Sequence, residues 1–253
     1  NTPGRPSVNY IASNDGFTLA DVYSYDRKHN EANGENNRDG ADYNLSWNCG
    51  VEGPTKRRKV VELRNLLMRD AITFVMCAQG IPLIYAGDEF GNSQGGNNNA
   101  YCQDNDTGWV DWNALNRNHR FYDFVRTMID FRKHHACLHM ADEAGLTDYK
   151  YYGLPDVSYH GVKAWYPELE HYSRQAGIMY CGQYAGDENN LYIAFNMHWE
   201  PHELALPNIS GRSWRAVLTT GTEELPDASQ INEARTVSVP ARTIIILEDE
   251  KNS

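Results

Sequence analysis

The chain has 253 residues, 41% hydrophobic and 11% aromatic, enough apolar mass for one large core or two smaller ones. Its formal charge of -11 would repel a phosphate backbone or an anionic membrane surface, so nucleic acid and membrane partners are excluded, while a neutral polymer is not. No stretch approaches the roughly 18 apolar residues of a membrane span.

The five cysteines (Cys49, Cys77, Cys102, Cys137, Cys181) are scattered, with no Cys-x-x-Cys pair, so neither a zinc site nor a disulfide framework is predicted. Such thiols fit a reducing, cytoplasmic location. The opening NTPGRPSV has neither Met nor a signal-peptide pattern and reads as the interior of a longer chain.

In chain order, Val8 to Ala12 predicts a short buried strand that ends at Asn14, Asp15 and Gly16. The next forty residues are crowded with Asn, Asp, Gly and charge. A loop of that length inside a compact domain is functional or disordered, and Tyr23, Tyr25, Tyr43, Leu45 and Trp47 supply apolar anchors for an ordered one. From Pro54 and Thr55 to about Gln79, the spacing of Val60, Leu63, Leu67, Ala71, Phe74, Val75 and Ala78 predicts a helix with one buried face. Its basic first turn, Lys56 to Lys59, opposes the helix dipole and calls for nearby acids. Gly80 suits a left-handed helix end.

IPLIYAG follows, a run of the kind found in strands buried on both faces, and it too terminates in acids, Asp88 and Glu89. An Asn-rich loop leads to a second helix near His119 to His135, which keeps helical spacing at Phe121, Phe124, Val125, Met128, Ile129 and Arg132. Strand, loop, helix, repeated, implies parallel strands with helical crossovers. After about Met140 the runs VKAWY, GIMYCGQY, LYIAFNM, RAVLTT and RTIIILE alternate with turn residues, which predicts an antiparallel β-sandwich. The boundary falls in 138–150. The fold class is therefore α/β followed by all-β.

In parallel α/β folds, ligands bind where the carboxyl ends of strands converge. Asp15 and the pair Asp88–Glu89 sit at such ends, where carboxylates orient sugar hydroxyls or stabilise an oxocarbenium-like transition state. Acids there also serve as helix caps and turn residues. Asn14, Asn97 and Asn98 both donate and accept hydrogen bonds, as hydroxyls do. Tyr101, Trp109 and Trp112 are candidates to stack on pyranose faces, although loop tryptophans also act as packing anchors. His198 and His202 in HWEPH are four apart, but Pro201 prevents a helix that would align them for a metal, and a turn between strands is the simpler reading. His134 and His135 suit a helix C-terminus. No phosphate-binding loop pattern occurs.

The stretches NYIASNDGFTLADVYSYDRKHNEANGENNRDG, QGIPLIYAGDEFGNSQGGNNNAYCQDNDTGWVDW and LYIAFNMHWEPHELALP resemble bacterial glycogen-debranching enzymes and isoamylases of the alpha-amylase family of glycoside hydrolases. The resemblance covers nearly the whole chain. It implies the last two strand–helix units of a (β/α)8 barrel at 1–141 and a β-sandwich C-terminal domain at 142–253. It further implies an α-glucan polysaccharide or oligosaccharide as partner, no cofactor, and a retaining mechanism with an Asp nucleophile, a Glu acid/base and a second, transition-state-stabilising Asp. Asp15 matches that second Asp, and nothing in the chain matches the other two. Glu89 belongs to the Gly-Asp-Glu-Phe stretch that shapes the cleft. The family usually carries His before the matched Asp; here Asn14 stands there, which hydrogen-bonds but carries no proton charge.

A complete barrel takes about 250 residues, and a retaining site needs two carboxyl groups about 5–5.5 Å apart. The chain is therefore expected to depend on an upstream barrel segment and to be inactive alone. A non-catalytic glucan-binding or accessory module, and a complete hydrolase of a different arrangement, are the other readings.

Overall fold

The computed structural model describes residues 7–222 and 224–252. Two compact units divide it, one covering 7–131 and the other 132–252.

In the first unit, β1 (Val8–Asn9) leads through a long loop containing α1 (Leu19–Val22) to α2 (Arg58–Cys77), and β2 (Ile81–Pro82) follows at once. β1 and β2 pair in parallel, Val8 opposite Ile81 and Asn9 opposite Pro82. Ile81 N and Leu83 N donate to Ser7 O and Asn9 O at 2.8 and 2.9 Å. Pro82, which has no N–H, falls between these two donors and costs the ladder nothing. Both strands are shorter than their apolar runs predict, and neither is buried: Val8 and Ile81 are each 50% exposed. In the two-stranded sheet each strand has one neighbour, so apolar side chains that would be covered inside a larger sheet face water.

The face of α2 is drawn by Arg64, Met68, Ala71, Ile72 and Val75, all buried, at steps of three, four and one. The predicted register is correct for Ala71 and Val75 but not for Phe74, which is exposed. The helix begins later than Pro54, and the acid that answers its basic start is Glu62, whose Oε1 accepts from Arg58 Nε at 2.7 Å. It ends on Ala78 in an extended conformation, not on Gly80. Gly80 instead has φ +101 and lets the chain pass against Ser7: a Cβ there would meet Ser7 O at 2.6 Å.

The loop after β1 is ordered, but not by all the predicted anchors. Tyr25 packs with Phe17 and Val22, with Tyr23 beside them, whereas Tyr43, Leu45 and Trp47 are exposed. Polar groups do the rest. Arg64 of α2 sends its guanidinium into four backbone carbonyls: Gly53 and Asn48 at 2.8 Å, Ser24 at 3.5 Å, and Val51. Lys28 Nζ donates to Asp39 O at 2.9 Å and pairs with Asp42 at 2.6 Å. Beyond β2 come α3 (Asn113–Arg117) and α4 (His119–His134), the latter with Phe121, Val125 and Met128 buried as its periodicity predicts.

The second unit contains β3 (Val157–His160), β4 (Gln175–Tyr180), β5 (Leu191–Asn196), β6 (His202–Ala205), β7 (Arg212–Thr219), α5 (Ala228–Ala234), β8 (Thr236–Val239) and β9 (Thr243–Lys251). The larger sheet has the order β3-β4-β5-β9-β7, and β6 pairs with β8; all neighbours are antiparallel. Met179, Tyr192 and Ile245 of the larger sheet share one core with Leu204, Val237 and Val239 of the smaller, the arrangement of a β-sandwich. Every residue of β5 is buried, between partners on both edges. VKAWY is not a strand. Its only pairing is a bridge between Lys163 and Tyr166, because His160 Nδ1 accepts from Trp165 N at 2.9 Å and turns the chain, with Trp165 at φ +70. The strand lies just before it, at β3. HWEPH is a turn that leads into β6, and His135 Nε2 meets Glu248 Oε1 at 3.1 Å, a structural tie.

Candidate functional site

The loops that leave β1 and β2 are stitched together by hydrogen bonds between residues about 70 apart in sequence. Thr18 caps α1, its Oγ1 accepting from Asp21 N at 3.2 Å. The next N–H, Leu19 N, is taken by Asp88 Oδ1 at 2.8 Å. Asp88 opens the 3-10 turn Asp88–Phe90 behind Gly87 and is buried. Burial pushes its carboxyl up to about 7; Glu89 and Asp21 add repulsion, against the Leu19 hydrogen bond. Glu89 folds back, Oε2 accepting from Gly87 N at 2.8 Å.

Asp21 is the second bolt. It is fully buried, accepts from Gln94 N at 2.8 Å and Gly96 N at 3.3 Å, and receives the Ser93 hydroxyl. Desolvation raises its pKa, although hydrogen bonding with Ser93, Gln94, Gly96 and Thr18 opposes the rise. A ladder of amides continues the seam. Asn30 and Asn98 bond reciprocally, Asn97 Nδ2 donates to Asn33 Oδ1 at 2.7 Å, and Asn98 Nδ2 donates to Ala41 O and Asn44 Oδ1 at 2.8 and 2.6 Å. Asn33 and Asn99 both donate to Asp39 Oδ2, at 2.7 and 2.9 Å.

The nine predicted residues thus separate into two sets. Asp88, Asn97 and Asn98 are buried inside the seam and hydrogen-bonded to protein partners, Asp88 through Oδ1. Glu89 is half-buried in the same turn. Asn14 and Asp15 lie on the surface four to five residues before Leu19; Asn14 Nδ2 donates weakly to Asp15 Oδ1 at 3.4 Å, and Asp15 N to Ser13 Oγ at 3.3 Å. Tyr101, Trp109 and Trp112 are 77%, 55% and 69% exposed. Trp109 Nε1 is fixed to Asp104 Oδ1 at 3.0 Å, and the Trp112 ring lies 5.7 Å from that of buried Phe90, the residue after Glu89. Asp15, exposed with Asn14 beside it on the first loop, can offer polar contacts to hydroxyls, and the exposed indoles of the second loop present flat faces. Among the described residues no group of three His, Cys, Asp or Glu is placed to hold a metal ion, and no helix is long and apolar enough to cross a membrane.

Sequence reasoning missed Asp21, Asn30 and Arg64. For Asp21 a signal existed: Thr18-Leu-Ala-Asp21 has the spacing of an N-terminal capping pattern. Asn30 and Arg64 carry no local signature, since their partners are distant.

Comparison with known proteins gives this geometry a context. Residues 158–245 match the family Isoamylase 1-3, C-terminal. The glycogen operon protein GlgX homolog of Mycobacterium bovis is 36% identical over 271 aligned residues, which take in 97% of this chain and 36% of that protein. The glycogen debranching enzyme of Erwinia tasmaniensis is 49% identical over 127 residues, 50% of this chain and 19% of that one. A pullulanase from Paenibacillus barengoltzii, solved in complex with maltohexaose and alpha-cyclodextrin, superposes with a TM-score of 0.64 at 21% identity over 96% of this chain and 29% of its own. The chain spans about a third of the length of the first of these relatives. It is similar to glycogen-debranching and isoamylase proteins along nearly all of its own length, and the isoamylase C-terminal family match falls within its second unit.

Proposed function

We propose that this chain, a relative of the glycogen-debranching enzymes and isoamylases, supplies the closing part of a glycoside hydrolase that cleaves α-1,6 branch links in glycogen or similar α-glucans. Residues 1–141 provide the last two strand–helix units of a (β/α)8 barrel, and 142–253 the C-terminal sandwich. Asp15 is the carboxylate that stabilises the oxocarbenium-like transition state of a retaining reaction; the nucleophile and the acid/base come from sequence outside these residues.

The observation that carries this reading is the seam itself. Leu19 bonded to Asp88, and Asp21 bonded to Gln94 and Gly96, fix the two strand-end loops to each other, with Asp15 on the surface of one and the indoles on the other. A charge that must meet a developing cation gains from being held in advance rather than ordered during reaction. Asn14, beside it, and Glu89 serve as polar contacts, and Trp109, Trp112 and Tyr101 present ring faces to the glucan. Localisation in the cytoplasm, suggested by the scattered thiols of the sequence, fits this role.

The test joins these residues to the preceding part of the parent protein and measures release of linear chains from glycogen. The joined protein is expected to be active and its Asp15→Ala variant to lose at least about a thousandfold in kcat. The 253 residues alone are expected to be inert. Hydrolysis by the isolated chain, abolished in Asp15→Ala, would overturn the proposal.

A further inference from the structure

We propose that the tyrosine-rich hollow of the second unit is an accessory binding site for a neutral α-glucan segment. The choice of ligand rests on the function proposed above; the existence of a site does not.

The hollow has a volume of about 330 Å³ and is lined by Ala136, His139, Met140, Tyr149, Lys150 and Tyr184, among others. That is the small end of the range for ligand sites, roughly 300–1,000 Å³. The chain beside it is shaped by two carboxylates. Asp156, fully buried, accepts from Gly145 N at 2.6 Å and from Leu146 N and Val157 N at 2.8 Å. Asp148 accepts from Tyr152 N, Gly153 N and the Tyr184 hydroxyl, each at 2.8 Å. Two carboxylates thus shape the whole segment from 145 to 157, and they hold it in a conformation it would not choose. Leu146 and Tyr151 have φ of +56 and +60, a region that bulky residues avoid.

The segment uses that shape to show aromatic rings to solvent. Tyr149 and Tyr152 are about half exposed and Tyr151 is 91% exposed. The rings of Tyr149 and Tyr152 lie 4.8 and 5.1 Å from that of Tyr184, and Lys150 Nζ stands 5.4 to 6.0 Å from all three centroids. Lys150 is tethered by donation to Tyr184 O at 3.3 Å.

The lining names the chemistry. The half-exposed Tyr149 ring offers a flat face to the C–H side of a pyranose, with Tyr151 and Tyr152 exposed beside the hollow, and the Tyr149 hydroxyl, the Lys150 ammonium and the Asp142 carboxyl offer hydrogen bonds to its rim. An anionic ligand is disfavoured, since Asp142 and Asp148 offset Lys150 and the chain carries -11. A purely apolar ligand would leave these polar groups unmatched.

The experiment is affinity electrophoresis of the 253-residue chain in gels containing glycogen, with maltoheptaose as competitor and inorganic phosphate as control. Wild type is expected to be retarded, and the double variant Tyr149→Ala/Tyr151→Ala to bind about tenfold more weakly with an unchanged far-ultraviolet spectrum. Trp109→Ala/Trp112→Ala should retain the tyrosine-dependent part of the retardation. A second measurement needs no variant: maltoheptaose should protect Tyr149, Tyr151 and Tyr152 of the wild type from nitration. If retardation is lost with the two tryptophans and indifferent to the tyrosines, the accessory site is overturned while the proposed function stands. Absence of nitration protection at saturating maltoheptaose, or release by phosphate and not by maltoheptaose, overturns it as well.

Discussion

Asn30 and Asn98, 68 residues apart, close a reciprocal pair: Asn30 Nδ2 donates to Asn98 Oδ1 at 2.8 Å, and Asn98 N donates to Asn30 Oδ1 at 3.0 Å. Both are buried, so neither side has water to fall back on. An unsatisfied buried polar group costs about 1–3 kcal/mol. Asn98→Ala is therefore expected to destabilise the chain by about 2–3 kcal/mol. Asn98→Asp should cost more, because an oxygen then replaces the amide that faces Ala41 O and Asn44 Oδ1. Urea denaturation of the two variants checks the order, and a harmless Asn98→Asp would refute it.

Arg64 is the clasp of the long loop. Its guanidinium serves the carbonyls of Ser24, Asn48, Val51 and Gly53 together, a fan that a single ammonium cannot span. Arg64→Lys is expected to cost about 2–4 kcal/mol and Arg64→Met somewhat more, through orphaned carbonyls. Hydrogen exchange should accelerate in 24–53 while the β-sandwich strands keep their protection. Uniform acceleration across the chain would mean a global effect instead.

Asp88 makes stability depend on pH in a direction opposite to that of a salt-bridged acid. Burial first, then Glu89 and Asp21, raise its pKa from 3.8 to about 7. Between those values the folded carboxyl holds a proton that the unfolded chain has released, so this group's contribution falls as pH rises and levels off above the upper value. Asp88→Asn keeps an oxygen for Leu19 N but has nothing to ionise. The melting temperature of the variant relative to wild type should therefore rise by about 3–6 °C from near pH 5 to near pH 8. A difference that stays constant would show that Asp88 is ionised at little cost.

Gly80 permits the contact between β1 and β2. With φ +101 and Ser7 O where a Cβ would lie, Gly80→Ala is strained twice. A loss of about 2–4 kcal/mol is expected, with the Ile81 and Leu83 amides losing protection first, since they donate across β1–β2.

The sequence made the regular elements legible where one segment carries its own signal. The periodicity of 58–77 and 119–134 gave both long helices, and LYIAFN and TIIILE gave the two best-covered strands, because burial on one face or both imprints a pattern at helical or strand spacing. The change of character near Met140 was equally plain. What misled was apolar content without partners: IPLIYAG and VKAWY look alike as strings, yet one forms two residues of parallel strand and the other is curled by His160.

By itself, then, the sequence determined the two long helices and the best-covered strands, the chemistry available at the strand ends, and the resemblance that names Asp15. Tertiary structure alone decided which acids and amides face solvent and which are consumed in the seam. Asp15 and Asp88 read identically as strand-end carboxyls, and what separates them is a hydrogen bond across some seventy residues, donated by Leu19 N to Asp88 Oδ1, beside a similar one from Gln94 N to Asp21 Oδ2. Pairing at that separation depends on where the backbone brings distant donors, and no local periodicity encodes it.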